Sequence, residues 1–158
     1  MTARPDTTGV LFVCLGNICR SPLAEGVFIH LARRRGVLDR FRIDSCGTGG
    51  WHCGEGADPR SIAVAAKHGI ELPSIARQFD PRRDPADFDW IIAMDRQNRR
   101  NLLKAGAPEP KIRLMMSFHP DPPTDEVPDP YYGGPDGFDK VFEMVRVACE
   151  GMLRELGH

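Results

Sequence analysis

The sequence predicts an α/β domain of the doubly wound kind, in which four short parallel strands are covered on both faces by helices. Three observations carry this expectation. Apolar runs rich in β-branched residues recur at 10–14, 41–46, 90–94 and 112–115, helical patterns lie between them, and the chain closes on a long amphipathic stripe. Strands joined through helices by short connections favour parallel pairing with right-handed crossovers.

Taken in order, the first run, VLFVC, is apolar throughout, as a strand buried on both faces should be. Ser21 and Pro22 then read as N-cap and first residue of a helix whose apolar positions are Leu23, Val27 and Leu31. The second strand is followed by a helical pattern from Ile62 to Ala66. His68, in KHGI, reads as a residue at that helix's end. Asp95 follows the third strand and suits an N-cap for a short polar helix around Leu102 and Leu103. The last helix is the clearest, because Phe138, Val141, Phe142, Val145, Ala148, Cys149, Met152, Leu153 and Leu156 keep one wide apolar stripe. Residues 1–8 are expected to be a flexible tail, and 9–158 a single domain without internal repeats.

Composition narrows the function. A chain of 158 residues, 41% of them apolar, can bury one good core but not two. The net charge of −1 offers no global attraction to nucleic acid or to a membrane surface, so a charged ligand must be met by a local site. Five cysteines without a repeating framework, and no leader-like apolar run near Met1, point to reduced thiols in a cytoplasmic location.

The local site is in the first turn. In ligand-binding α/β folds the site forms at the carboxyl ends of the strands, where Cys14 falls. The loop Leu15, Gly16, Asn17, Ile18, Cys19, Arg20 leads into the amino end of the first helix, whose unpaired N–H groups suit an anion. Gly16 and Asn17 tolerate the left-handed backbone that lets successive N–H groups converge. Arg20 adds a planar fork matched to two phosphate oxygens. Cys14 beneath this cradle would be stabilised as the thiolate, which is the nucleophilic form. A thiolate facing a held phosphate means phosphoryl transfer. The Walker pattern of nucleotide-binding loops is absent, since no Gly-Lys-Ser/Thr follows.

Phosphoryl transfer to a thiol also needs an acid for the leaving oxygen. Asp129, between Pro128 and Pro130 in the long proline-rich segment 117–134, is the candidate, with Tyr131 and Tyr132 beside it as flat walls for an aromatic group. By itself this stretch also reads as ordinary turn chemistry.

CLGNICRS near the amino terminus and DPYYG near the carboxyl end together closely resemble the low-molecular-weight protein tyrosine phosphatases, bacterial members included, over almost the whole chain. The resemblance implies a flavodoxin-like fold with a four-stranded parallel sheet. It also implies hydrolysis of protein phosphotyrosine without metal or other cofactor, through a cysteinyl-phosphate. Cys14 would then be the nucleophile, Arg20 the clamp, and Asp129 acid and then base. Asn17 and Ser45 would support the loop, Ser21 would hydrogen-bond the sulfur, and Leu15, Trp51, His52, Tyr131 and Tyr132 would line the pocket. The partner implied is a phosphotyrosine protein, with no nucleic acid and no membrane insertion. Where many members carry a histidine two residues before an Ala-Arg pair, this chain has Ser74. Relatives acting on phosphoarginine carry threonine after the loop asparagine, whereas Ile18 here accompanies phosphotyrosine activity.

Other readings were open. Thiol-dependent arsenate reductases resemble this loop but relay oxidation through further cysteines, for which only Cys46 and Cys53 are nearby, and the DPYY segment argues against them. A silent phosphotyrosine-binding module would not need nucleophile, clamp and acid together. A zinc set from Cys46, His52 and Cys53 lacks a second ligand pair at the usual spacing. Cys19, on the same loop as the nucleophile, is expected to capture Cys14 as a disulfide under mild peroxide, making the enzyme redox-sensitive.

Overall fold

The computed structural model describes residues 7–134 and 136–158, with the Tyr132 side chain outside the described part. Its centre is β1, Thr8–Cys14, which is paired on both sides, with β2 (Phe41–Gly47) and β3 (Trp90–Ala93). With β4, Ile112–Leu114, beyond β3, the order is β2-β1-β3-β4 and every pairing is parallel. Side chains of a strand alternate between faces, and the core divides accordingly. Val10, Phe12 and Cys14 join one cluster with Leu23, Val27, Phe28, Phe142 and Met152, while Leu11 and Val13 join another with Phe79, Phe88, Ile91 and Leu102.

Helices α1 (Arg20–Arg34), α2 (Pro59–Ala66) and α5 (Gly137–Glu155) gather on the first side. On the second lie α4 (Arg96–Lys104) and the four-residue α3 (Asp84–Asp87) with the chain around it. The doubly wound α/β expectation is therefore met, with strand positions within two residues of those read from the sequence. α5 buries the stripe from Phe138 to Leu153 and passes so close to a 3₁₀ turn at Met115–Phe118 that a Cβ on Gly151 would sit 1.9 Å from the Phe118 carbonyl oxygen.

Several expectations are corrected. Thr8 already belongs to β1, and Arg42 Nε donates to Thr7 Oγ1 at 3.0 Å, so the ordered chain begins before residue 9; residues 1–6 lie outside the described residues. α1 starts at Arg20, so Ser21 is inside the helix rather than its N-cap, and its hydroxyl is used elsewhere. The long segment 117–134 is not all irregular, because it ends in a 3₁₀ turn at Pro130–Tyr132. Two readings are met: Asp95 caps α4 in a reciprocal capping box with Asn98, and His68 lies just past α2, where it stacks on Phe142 with ring centres 4.1 Å apart.

The connections leaving β1 and β3 run to opposite sides of the sheet, so a crevice opens at their carboxyl ends. Cys14 ends β1, and Asp95 stands just beyond β3.

Candidate active site

The loop after Cys14 is shaped from outside. The carbonyls of Cys14 and Leu15 accept from Thr48 and Gly49 N–H, both at 2.9 Å, and that of Ile18 accepts from Asp58 N–H at 2.8 Å. In a planar trans peptide the C=O and the next N–H point opposite ways. The N–H groups of Leu15, Gly16 and Cys19 are thereby turned toward the loop's interior, as an anion cradle requires. Gly47 allows this closeness, since a Cβ there would lie 2.7 Å from the Leu15 carbonyl oxygen.

Asn17 is the non-glycine residue with positive φ among the described residues, at 57°. Gly16 is not left-handed; its lack of a side chain matters instead because a Cβ would come within 3.0 Å of His52 Cδ2. Asparagine reaches this region more readily than most residues, and here its side chain is bonded at every turn. Asn17 Oδ1 accepts from Arg77 N–H at 3.0 Å, while Nδ2 donates to Ser21 Oγ at 2.8 Å and Ser45 Oγ at 3.0 Å. Ser21 Oγ lies 3.0 Å from Cys14 Sγ. Ser45 Oγ donates to Glu25 Oε1 at 2.5 Å. Glu25 is a residue that reading the sequence missed, although it stands four positions after Ser21 and so on the same helical face. It is 5% exposed, and burial pushes its carboxyl up to about 7, against the pull of the Ser45 bond.

Arg20 is buried, and its guanidinium is held chiefly through one terminal nitrogen. Nη1 donates to Asp95 Oδ2 at 2.6 Å and to the Val127 carbonyl at 3.1 Å, and Nη2 lies 3.6 Å from Asp129 Oδ2. Burial alone would favour loss of its proton, but Cys14, Asp95 and Asp129 together outweigh that and hold the group more firmly charged than usual. Asp95 was read from sequence as a helix cap; it is also Arg20's carboxylate partner, a second use that only the tertiary fold brings out. Asp129 caps the turn Pro130–Tyr132, its Oδ1 accepting from Tyr131 N–H at 3.0 Å, which leaves Oδ2 facing the loop. Val127 anchors this segment, donating to the Met94 carbonyl at 2.8 Å.

Above the loop is a cleft of about 310 Å³. Cys14, Leu15, Gly16, Ile18, Cys19 and Arg20 form its floor, and Trp51, His52, Asp129 and Tyr131 its walls. Trp51 is 72% exposed and lies over Gly49, where a Cβ would meet the indole; Tyr131 is 40% exposed and is faced by the Arg60 guanidinium 5.1 Å from its ring centre. His52 is oriented by Glu55, 3.2 Å from Nδ1. The expected role of Tyr132 in the wall lies outside the described residues. The other cysteines differ sharply. Burial, then Asp58, Cys14 and Asp129, push the Cys19 thiol up to about 12. Cys46 is buried and raised well above its ordinary value, chiefly by burial, while Cys53 is exposed. Cys46, His52 and Cys53 do not gather, and no group of three metal-ligating side chains occurs among the described residues. Ser74 Oγ is buried without a hydrogen-bond partner.

A thiol at a switch point, beneath a ring of inward N–H groups and flanked by a buried arginine and a loop carboxylate, belongs to the class of proteins that transfer phosphoryl groups through cysteine. The comparisons make the class particular. The family described as low molecular weight phosphotyrosine protein phosphatase matches residues 9–158, and the chain belongs to it. A low molecular weight protein-tyrosine-phosphatase of Streptomyces coelicolor is 46% identical over 152 residues, covering 93% of this chain and 92% of that one. A low molecular weight phosphotyrosine protein phosphatase of Schizosaccharomyces pombe is 47% identical over 150 residues, covering 93% and 96%. Among solved structures, a protein tyrosine phosphatase from Entamoeba histolytica superposes with a TM-score of 0.90 at 40% identity, over 96% of this chain and 97% of that one. The family's enzymes are hydrolases that work through cysteine and independently of metal.

The buried Glu25 has a measurable consequence for stability. Its folded value of about 7 lies above the ordinary carboxyl value of 4.5, so between these the folded state holds a proton that the unfolded chain releases. Stability therefore falls as pH rises through this window, by on the order of 3 kcal/mol from this group. Urea unfolding at several pH values should show that slope in the native protein and its loss in Glu25→Gln; equal slopes would show that Glu25 does not titrate so.

Proposed function

We propose that this chain hydrolyses protein phosphotyrosine, with Cys14 as nucleophile, Arg20 as phosphate clamp and Asp129 as general acid and base. The observation that carries the assignment is the placement of Cys14 Sγ, 3.0 Å from the Ser21 hydroxyl at the base of a cleft bounded by Arg20 and Asp129. The sulfur's electron pair forms the S–P bond as the P–O bond to the tyrosine ring breaks, and the leaving phenolate takes a proton from Asp129. Asp129, now ionised, accepts a proton from water as that water's oxygen attacks phosphorus; the S–P bond breaks and the thiolate is restored. The inward N–H groups and Arg20 stabilise the charge on the three phosphoryl oxygens throughout. Leu15, Ile18, Trp51 and Tyr131 offer an apolar slot for the ring, with His52 as a further wall residue.

The substrate class is a phosphoprotein, and within it we assign phosphotyrosine. Neither nucleic acid nor membrane is part of this reading: the net charge is −1, and no helix among the described residues is long and apolar enough to cross a membrane. A reducing, cytoplasmic setting agrees with five free cysteines, of which the nucleophile needs the reduced state.

Cys14→Ser should abolish metal-free turnover of aryl phosphates while still binding inorganic phosphate, because the cradle does not depend on sulfur; Arg20→Ala should lose both. Asp129→Ala should slow phenyl-type phosphates by roughly 10²–10⁴-fold and esters of very good leaving groups much less. A loss equal for good and poor leaving groups would remove Asp129 from the acid role.

Specificity is tested on phosphopeptides. Ile18 supplies no hydroxyl near the reacting phosphorus, so release from phosphotyrosine peptides should far exceed release from phosphoarginine or phosphoserine peptides. Faster release from phosphoarginine would overturn the substrate assignment.

For Cys19, buried beside the nucleophile, mild peroxide should yield a Cys14–Cys19 disulfide and a dithiol should restore activity. Cys19→Ser should lose basal turnover only modestly but become largely irreversibly inactivated by peroxide. Mass spectrometry that found no linked loop peptide in the native protein would reduce Cys19 to packing.

A further inference from the structure

Glu25 neither attacks, clamps nor protonates anything in the reaction, yet it is buried at the end of a hydrogen-bond chain that reaches the nucleophile. The direction of that chain can be worked out. Arg77 N–H is a donor only, so the Asn17 atom it meets at 3.0 Å is the amide oxygen, and the two hydrogens of Nδ2 go to Ser21 and Ser45. Each hydroxyl, having accepted, is left with its own hydrogen to give. Ser45 gives its hydrogen to Glu25 Oε1 at 2.5 Å. Ser21 has Cys14 Sγ at 3.0 Å and, more distantly, the Cys46 carbonyl at 3.4 Å.

We propose that Glu25 is a positioning residue for phosphoryl transfer: its carboxylate anchors the chain Glu25, Ser45, Asn17, Ser21 and so commits the Ser21 hydroxyl hydrogen to the Cys14 sulfur. The inference rests on Cys14 being the nucleophile. A carboxylate is an acceptor only, and a hydrogen bond to it is roughly twice as strong as one to a neutral group. Once protonated, Glu25 is a weaker acceptor and gains an O–H that competes to donate to Ser45, so Asn17 is held less firmly in its left-handed pose.

The surroundings leave that protonation within reach of neutral pH. The charged groups acting on Glu25 are Asp44, from β2, and Arg77, from the segment crossing behind the loop. Arg77 is already shared, with Nε 3.1 Å from Asp44 and its two terminal nitrogens 3.0 and 3.1 Å from Asp84. Burial, which the Ser45 bond and the shared Arg77 offset only in part, holds the carboxyl at about 7.

The test compares native protein with Glu25→Gln, an uncharged near-isostere, on an aryl phosphate whose leaving group is good enough to need no help from Asp129. At about pH 5.5, where Glu25 is protonated, the two kcat values should nearly coincide; at about pH 8.5 the native value should be roughly 3–10-fold higher. A ratio that does not change with pH would overturn the proposal, since loosened packing acts at every pH. Ser45→Ala breaks the chain elsewhere and should show the same alkaline deficit, so a pH-independent deficit there counts equally against it. A readout without turnover is the Asn17 side-chain amide by NMR, which should titrate with a midpoint near 7 in the native protein and not in Glu25→Gln. A flat amide with turnover intact overturns the chain alone, whereas a native protein without Cys14-dependent turnover overturns the reaction assignment itself.

Discussion

The left-handed backbone at Asn17 is the constraint on which the rest of the site depends. A non-glycine residue holds that conformation at a cost of order 1 kcal/mol or more unless its surroundings fix it. Here three hydrogen bonds do so, to Arg77, Ser21 and Ser45, contributed by the segment crossing behind the loop, by α1 and by β2. The loop's curvature is thus distributed over three elements whose own positions are set by the core. Around it, Thr48, Gly49 and Asp58 take up loop carbonyls and leave the N–H groups facing inward.

This division of labour explains where polar groups are buried. Asn17, Arg20, Ser21, Glu25 and Ser45 are all buried, in a region where unsatisfied polar atoms are expensive. Each is partnered: Asn17, Ser21, Glu25 and Ser45 by one another, by Cys14 and by the backbone, and Arg20 by Asp95, Asp129 and the Val127 carbonyl. Arg20 is the link between halves of the site: it belongs to α1, yet it is bonded to the residue capping α4 and to the segment that bears Asp129. One guanidinium therefore ties the end of β3 to the segment that carries Asp129. Ser74 is the exception, a buried hydroxyl without a partner. No physical compensation for it is evident.

The walls follow different rules from the floor. Trp51 and Tyr131 are large and exposed, an indole over Gly49 and a phenol facing Arg60. Such exposed surfaces can vary at little cost to the fold, which on the proposed function would separate substrate choice from the chemistry at Cys14.

The sequence by itself determined the fold class, because period-two and period-3.6 patterns are local and the strongest of them, β1 and α5, are nearly uninterrupted. It also placed the candidate loop, since Cys14, Asn17, Arg20 and Ser21 stand close together in the chain. It misread what depended on distance or on hydrogen-bond competition. Ser21 looked like a helix cap because its neighbours allow one, but its hydroxyl is claimed by Asn17 and Cys14. Gly16 and Asn17 both suited left-handed backbone, but of the two only Asn17 adopts it, and Gly16 is small to clear His52. Only the tertiary structure decided that Asp95, 75 positions from Arg20, shares its charge, and that Glu25 lies under Ser45 with a proton held to about 7. Both follow from parallel strands that bring remote segments to one edge, and from burial, which no single residue's neighbours in sequence can reveal.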